Sequence, residues 1–282
     1  MADSKKWSLL CPNCRRLVSS YEPTCPYCGL SRPGARWRHI PLVQNVLDPA
    51  HIIVSVIIVN SFLFIVSTLL STSSSNLSMN PLTLFSPSNK ILVLLGATGT
   101  FPINQLHRWW TLISASYLHG GILHIFFNMM VLRQIAPLAL QEYGFNRTVI
   151  LYTLGGAMGF YVSYLAGVPL TIGASASLFA LIGSILYYGK SRGGAYGQMV
   201  YKQLLGWVIG LFLFGLFIPM INNWAHGGGL GGGLLLGYLL GYRERNRETY
   251  YHKIIASLCM VATILILLWA FVSTIYYRFT QF

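Results

Sequence analysis

Long stretches of this chain are apolar with few polar interruptions. Two of them, about residues 52 to 72 and 254 to 277, are each roughly the 20 residues that a helix needs to cross bilayer hydrocarbon. Five more, about 121 to 140, 147 to 166, 173 to 189, 203 to 221 and 225 to 242, are apolar but broken by glycine, serine, histidine or asparagine. Together they predict seven spans and an all-α polytopic membrane protein. The first span follows a cysteine-rich, basic segment, so a cleavable signal peptide is not expected. The pattern divides the chain into a small module at 1–30, a basic juxtamembrane linker at 31–50, a six-helix core at 51–242, and a turn with a seventh helix at 243–282.

Composition agrees with this pattern, with 54% hydrophobic and 9% charged residues. Lys and Arg set the orientation, because inner loops retain them. Seven precede the first span: Lys5, Lys6, Arg15, Arg16, Arg32, Arg36 and Arg38. Placing that end inside also puts Arg147, Lys190, Arg192, Lys202, Arg243, Arg245, Arg247 and Lys253 at inner turns, and leaves Lys90, Arg108 and Arg278 as outer exceptions. The second, fourth and sixth spans then all enter from the outer face. The net charge of +13 is explained by this topology and by attraction to anionic membrane lipid, and no nucleic-acid partner is expected. The expected location is a multi-pass position in a prokaryotic cytoplasmic membrane with the N-terminus cytoplasmic; an organelle membrane stays open.

Cys11-Pro-Asn-Cys14 and Cys25-Pro-Tyr-Cys28-Gly29 form two Cys-x-x-Cys knuckles. That spacing resembles a compact zinc ribbon in which four thiolates saturate a structural zinc ion and leave no position open for catalysis. A pair of disulfides or a redox dithiol is the other reading, disfavoured in a reducing cytoplasm. The sequence does not name the ribbon's partner.

Polar residues inside spans mark functional cavities, because lipid penalises them. Here they gather where the even-numbered spans begin: His119, His124 and Asn128 on the second, Gly173-Ala174-Ser175 on the fourth, and His226 on the sixth. A serine becomes nucleophilic when an imidazole takes its proton, so Ser175 and His226 fit a covalent hydrolase. His124 and Asn128, four apart, share a helical face and could donate N–H groups to an oxyanion together with the Ser175 amide. Hydrogen bonding between helices is the bland alternative for both. A glycine-rich sixth span (Gly227, Gly228, Gly229, Gly231, Gly232, Gly233) and the small-residue row Ala176, Ala180, Ser184 on the fourth suit close helix contact. All six acids, Asp3, Glu22, Asp48, Glu142, Glu244 and Glu248, fall in the N-terminal region or at inner turns, so a serine hydrolase here must use a Ser-His dyad.

With these residues in hand, the stretch from about 106 to 242 resembles the rhomboid family of intramembrane serine proteases. The motifs are His119-x4-His124-x3-Asn128, Gly173-x-Ser175 and Trp224-Ala225-His226-x2-Gly229-x3-Gly233. The resemblance implies a rhomboid-like six-helix core with a seventh helix appended. It makes Ser175 the nucleophile, His226 the base, His124 and Asn128 the oxyanion donors, and His119 a supporting residue; Gly173, Gly229 and Gly233 are the motif glycines. Phe179 would pack on the catalytic imidazole. The implied activity is endopeptidase cleavage of transmembrane protein substrates, within or near their spans, without a catalytic cofactor. Two positions depart from the family pattern: Ala176 follows the nucleophile where glycine is usual, and His107-Arg108-Trp109-Trp110 replaces a Trp-Arg pair. The alternatives are an inactive rhomboid-like protein that binds membrane helices and, more remotely, a channel or transporter.

Overall fold

The computed structural model describes residues 8–12, 16–27, 29–35, 50–71, 84–218 and 221–280. They fall into two compact units, residues 1–55 and 56–282.

In the first unit, β1 (Ser8–Leu10) pairs antiparallel with β2 (Leu17–Ser19), in the register Ser8 with Ser19 and Leu10 with Leu17. Leu9, Val18, Cys11 and Cys25 form its buried core, with Leu30 packed against them. Its two turns are built alike: the Cys11 amide donates to the Arg16 carbonyl (2.9 Å) and the Cys25 amide to the Leu30 carbonyl (2.8 Å), five residues on in each case. Gly29, at φ +74, closes the second turn by donating to the Cys25 carbonyl. Thr24 bridges Ser31, and the Arg32 amide donates to the Pro23 carbonyl, so the hydrogen bonding runs past the expected end at residue 30. Cys14, Cys28 and most of the expected linker lie outside the described residues.

The second unit is helical. α1 (Ala50–Leu70) leads into it, followed by the short α2 (Asn89–Leu95), α3 (Thr100–Asn104) and α4 (Thr111–Ser114). Then come α5 (Ile122–Tyr143), α6 (Phe145–Leu165), α7 (Ser175–Arg192), α8 (Gly194–Phe217), α9 (Asn223–Leu240) and α10 (Tyr250–Thr280). Among the described residues, five helices are long and apolar enough to cross a membrane: α1, α5, α6, α8 and α10. α1, α8 and α10 turn large side chains such as Phe62, Leu69, Leu216, Phe217, Leu265 and Trp269 outward, an extent of exposed apolar surface that suits lipid.

Of the other two long helices, α7 is the interior, while α9 buries one face, with Ala225, His226, Gly229 and Gly233, and turns Trp224, Leu235, Tyr238 and Leu239 outward. α7 packs against α5, α6, α8 and α9, and is buried at every position from Ala176 to Leu186. Serine and glycine lower its apolarity because it faces protein rather than lipid.

The glycines of α9 explain how close the packing is. A Cβ on Gly229 would collide with the Ala176 carbonyl oxygen, one on Gly233 with that of Ala180, and one on Gly237 would lie 3.1 Å from the Ser184 Cα. Both helices advance in the same sense through these contacts, so α7 and α9 run parallel with their backbones touching. Gly228 and Gly232 instead face Val162 and Met158 of α6, while a Cβ on Gly231 would meet nothing.

Hydrogen bonds sort the chain into two ends. At one end, Thr98 and Thr171 exchange backbone bonds, and the Thr100 amide donates to the Val168 carbonyl. This pins the segment between α1 and α5 to the α6–α7 loop. At the other end, the Glu248 carboxylate accepts from the Asn146 and Arg147 amides (3.1 and 3.3 Å) and from Asn146 Nδ2 (2.9 Å), capping the N-terminus of α6. Fully buried Arg147 donates through Nη2 to the Asn246 and Arg247 carbonyls, fixing the turn before α10. Glu142 and Glu244 lie at this same end, Glu142 accepting from the Tyr196 hydroxyl and Glu244 paired with Arg192 at 2.8 Å.

Candidate active site

Ser175 is the first residue of α7, and the loop before it is held on three sides. The Gly173 amide donates to the Ala115 carbonyl (2.9 Å), Thr171 pairs with Thr98, and within the first turn of the helix the Ser177 hydroxyl meets that of Ser116 at 3.0 Å. Gly173 has φ +126, where L side chains are strained, and a Cβ there would lie 2.7 Å from His124 Nε2 and 3.7 Å from Ser175 Oγ. Glycine is therefore needed twice at this position, for the turn and for the imidazole. The amides of the first turn of α7 have no partners within the helix, and the Ala174 cap supplies none from its side chain.

His124 follows from α5. Its Nδ1 accepts from the Gly120 amide at 3.3 Å, which places the proton of the neutral ring on Nε2, the nitrogen facing Gly173 and Ser175. Asn128, one turn on, commits one amide hydrogen to the His124 carbonyl at 2.8 Å and keeps a second. His119 is fully buried, its ring edge-on to His124 at 5.0 Å, and neither of its ring nitrogens has a hydrogen-bond partner.

His226 sits on the face of α9 that meets α7, in line with Gly229, Gly233 and Gly237. Its ring stacks on Phe179 at 4.3 Å and 16°, and meets the edge of Phe212 at 6.4 Å and 87°. Phe179 lies one turn below Ser175 on the same face of α7, so this stacking brings the imidazole to the serine's side of the helix. Ser175 and His226 share no hydrogen bond in this structure, and His226 Nδ1 is buried without a partner. Such bonds are often loose before substrate is present.

Three contributors were not visible beforehand. Asn222 caps α9 by accepting from the Ala225 amide, and its Nδ2 donates to Ser163 (2.6 Å) and Thr171 (2.9 Å), tying the helix of His226 to the loop of Ser175. An Asn three residues before Ala225 is a readable cap signal; its two outer partners are not. Phe212, on α8, gives no signal in the sequence. Gly159 on α6 faces the Ala176 methyl, the Ala225 carbonyl and the Gly229 amide, and so leaves room for the alanine that replaces the usual glycine. The altered tryptophan loop is anchored too: Arg108 Nη1 donates to the Val93 carbonyl (3.1 Å) and its guanidinium lies 6.0 Å from the Trp110 ring.

For the cysteine module, Cys11 and Cys25 are buried in one core, whereas Cys14 and Cys28 lie outside the described residues. Among the described residues no group of three or more His, Cys, Asp or Glu side chains could hold a metal ion.

Residues 106–243 match the Rhomboid domain. The chain is 37% identical over 150 residues to RHOMBOID-like protein 5 of Arabidopsis thaliana, a match covering 52% of this chain and 48% of that protein. It is 30% identical over 161 residues to the Inactive RHOMBOID-like protein 8 of the same plant, covering 56% and 45%. To Rhomboid protease GluP of Bacillus subtilis (strain 168) it is 29% identical over 145 residues, covering 51% and 28%. The chain thus spans about half or less of the length of these curated relatives. With its apolar helices, it is an integral, multi-pass membrane protein. Through residues 106–243, which match the Rhomboid domain, the chain is similar to proteins of the rhomboid family.

Proposed function

We propose that this chain is an intramembrane serine endopeptidase that cleaves transmembrane proteins in or near their spans. The observation that carries this reading is the stacking of His226 on Phe179, one turn below Ser175, with His124 Nε2 on the other side of the same serine loop. As Ser175 Oγ attacks the scissile carbonyl, His226 takes the hydroxyl proton. The alkoxide is met by His124 Nε2–H, the free hydrogen of Asn128 Nδ2 and the Ser175 amide. His226 returns the proton to the leaving amine, which departs and leaves an ester on Ser175. Water then attacks that ester, giving its proton to His226, and the acid product leaves as Ser175 regains its own. Among the described residues of this unit no carboxylate side chain is placed to orient the imidazole, since Glu142, Glu244 and Glu248 are at the opposite end; the two aromatic rings would hold it instead.

In this reading α7 and α9 also cross the membrane, giving seven spans. The N-terminus and basic turns are cytoplasmic, and the site opens near the outer face of a prokaryotic cytoplasmic membrane. A fluorophosphonate probe tests the nucleophile. The full chain in detergent should be labelled at Ser175, and His226→Ala should slow labelling by about 10²-fold or more. Labelling elsewhere, or none, would favour a second reading, an inactive protein that binds membrane helices, which the 30% identity to an inactive relative and the unbonded dyad keep in play.

The reading includes a zinc ribbon at residues 1–30, with Cys11, Cys14, Cys25 and Cys28 around one structural ion. Its support is the matched pair of turns at Cys11 and Cys25 and the burial of both side chains. The purified full chain should carry about one zinc ion, and Cys11→Ser or Cys25→Ser should lose most of it without altering detergent-solubilised helix content. A zinc-free wild type, purified without chelator, would rule the ribbon out.

A further inference from the structure

A single 3-10 turn, Ala115–Tyr117, follows α4, and all three of its residues are buried. Two of them hold the loop of Ser175 from either side. The Ala115 carbonyl accepts from the Gly173 amide at 2.9 Å, and the Ser116 hydroxyl meets that of Ser177 at 3.0 Å, two residues before and two after Ser175. Tyr117 reaches α6 and α10 instead. Its ring packs edge-on against Tyr152 of α6 at 6.2 Å and 63°, and its hydroxyl faces Thr263 of α10, one turn from Cys259.

Most of α10 turns outward, but Ala256, Cys259, Thr263, Ala270 and Thr274 recur at helical spacing as one buried stripe, and the helix packs against α6 and α4. A threonine inside a helix ordinarily turns its hydroxyl back to the carbonyl four residues before it, as Thr274 does to Ala270 at 2.7 Å. Thr263 does not. Its Oγ1 is buried with no hydrogen bond of its own and faces the Tyr117 hydroxyl short of hydrogen-bonding geometry. Two buried hydroxyls so placed gain by closing on each other, because neither has water to turn to. We propose that Tyr117 is a positioning residue through which α10 holds the Ser175 loop: Thr263 fixes the tyrosine, the tyrosine fixes its turn, and Ala115 and Ser116 of that turn fix Gly173 and Ser177. The inference rests on Ser175 being the nucleophile. Tyr117 acts through the turn and not on substrate, so its loss lowers kcat and leaves KM in place.

Fluorophosphonate labelling of Ser175 and cleavage of a transmembrane peptide are measured on the full chain in detergent for Tyr117→Phe, Thr263→Val and the two combined. Each single change should slow labelling and kcat by about fivefold, and the pair should be no slower than the slower single, since the two hydroxyls form one link. Thr263→Ser keeps the hydroxyl and should match the wild type. Thr274→Val removes a hydroxyl that is satisfied within α10, and should leave labelling unchanged. Amide hydrogen exchange reads the loop without any chemistry: Tyr117→Leu should speed exchange at residues 173–177 by about tenfold, while the Glu248-capped start of α6 keeps its rate. Losses that add in the double variant, equal losses for Thr263→Val and Thr263→Ser, or unchanged exchange at 173–177 would overturn the link alone. A wild type that takes no label at Ser175 would overturn the nucleophile reading, and this inference with it.

Discussion

Cleavage of a transmembrane peptide should fall by about 10⁴-fold or more when Ser175 becomes alanine, and by a similar factor for His226→Ala, with the double variant no slower than either. Non-additivity is the informative part. If the serine is useless without the base and the base without the serine, removing the second costs nothing further. Additive losses would mean that the two act separately, for instance with His226 supporting the fold alone. The chemistry makes the expected loss steep. In the proposed mechanism the amides that open α7, together with His124, hold the oxyanion, and His226 alone takes the serine's proton. Residual cleavage by Ser175→Ala within about tenfold of wild type would assign the nucleophile elsewhere. Phe179→Leu should keep most of the fold and lower kcat more than it raises KM, because stacking worth about 1 kcal/mol orients the imidazole without touching substrate.

How much of this was legible depends on which solvent each helix meets. α1 and α10 face outward over most of their length, so their apolar runs alone located them to within a few residues. α7 and α9 do not have membrane-span composition, and were recognisable through the chemistry they carry, a Gly-x-Ser start and a histidine ahead of a glycine run. The residues between α1 and α5 contain no apolar run of span length. Within the described part they fold into α2, α3 and α4, because backbone pairing with residues 167–172 fixes the chain between them. Such pairing joins segments some seventy residues apart and leaves no periodic trace. Asn222 is similar: the cap is local and readable, whereas its bonds to Ser163 and Thr171 are set by the fold. The same holds for Phe212, a residue of the outward-facing α8 that turns out to wall the imidazole.

The glycine run gives the second large effect. In the sequence its six glycines are equivalent; on the helix they divide by face. Gly233→Val should unfold most of the protein, because the new Cβ lands on the Ala180 carbonyl, a backbone atom that cannot swing aside. Overpacking usually costs ~1–3 kcal/mol and more where backbone must move, a large share of a total stability of 5–15 kcal/mol for a typical domain. Gly231→Val, two residues away, should be nearly silent, since the space beyond Gly231 is open. Thermal unfolding in detergent, followed by the fraction that stays monodisperse on gel filtration, compares the two directly. Equal damage at both sites would mean that the run matters for helix flexibility and not for contact with α7. Gly233→Ala adds a further readout, because a partly tolerated Cβ would push α9 away from α7 and carry His226 with it. Any folded Gly233→Ala protein should therefore lose activity out of proportion to its stability, by about 10²-fold for a shift near 1 Å at the reacting groups. A variant that folds and cleaves normally would show that the backbone contact at Ala180 does not set the distance between serine and histidine.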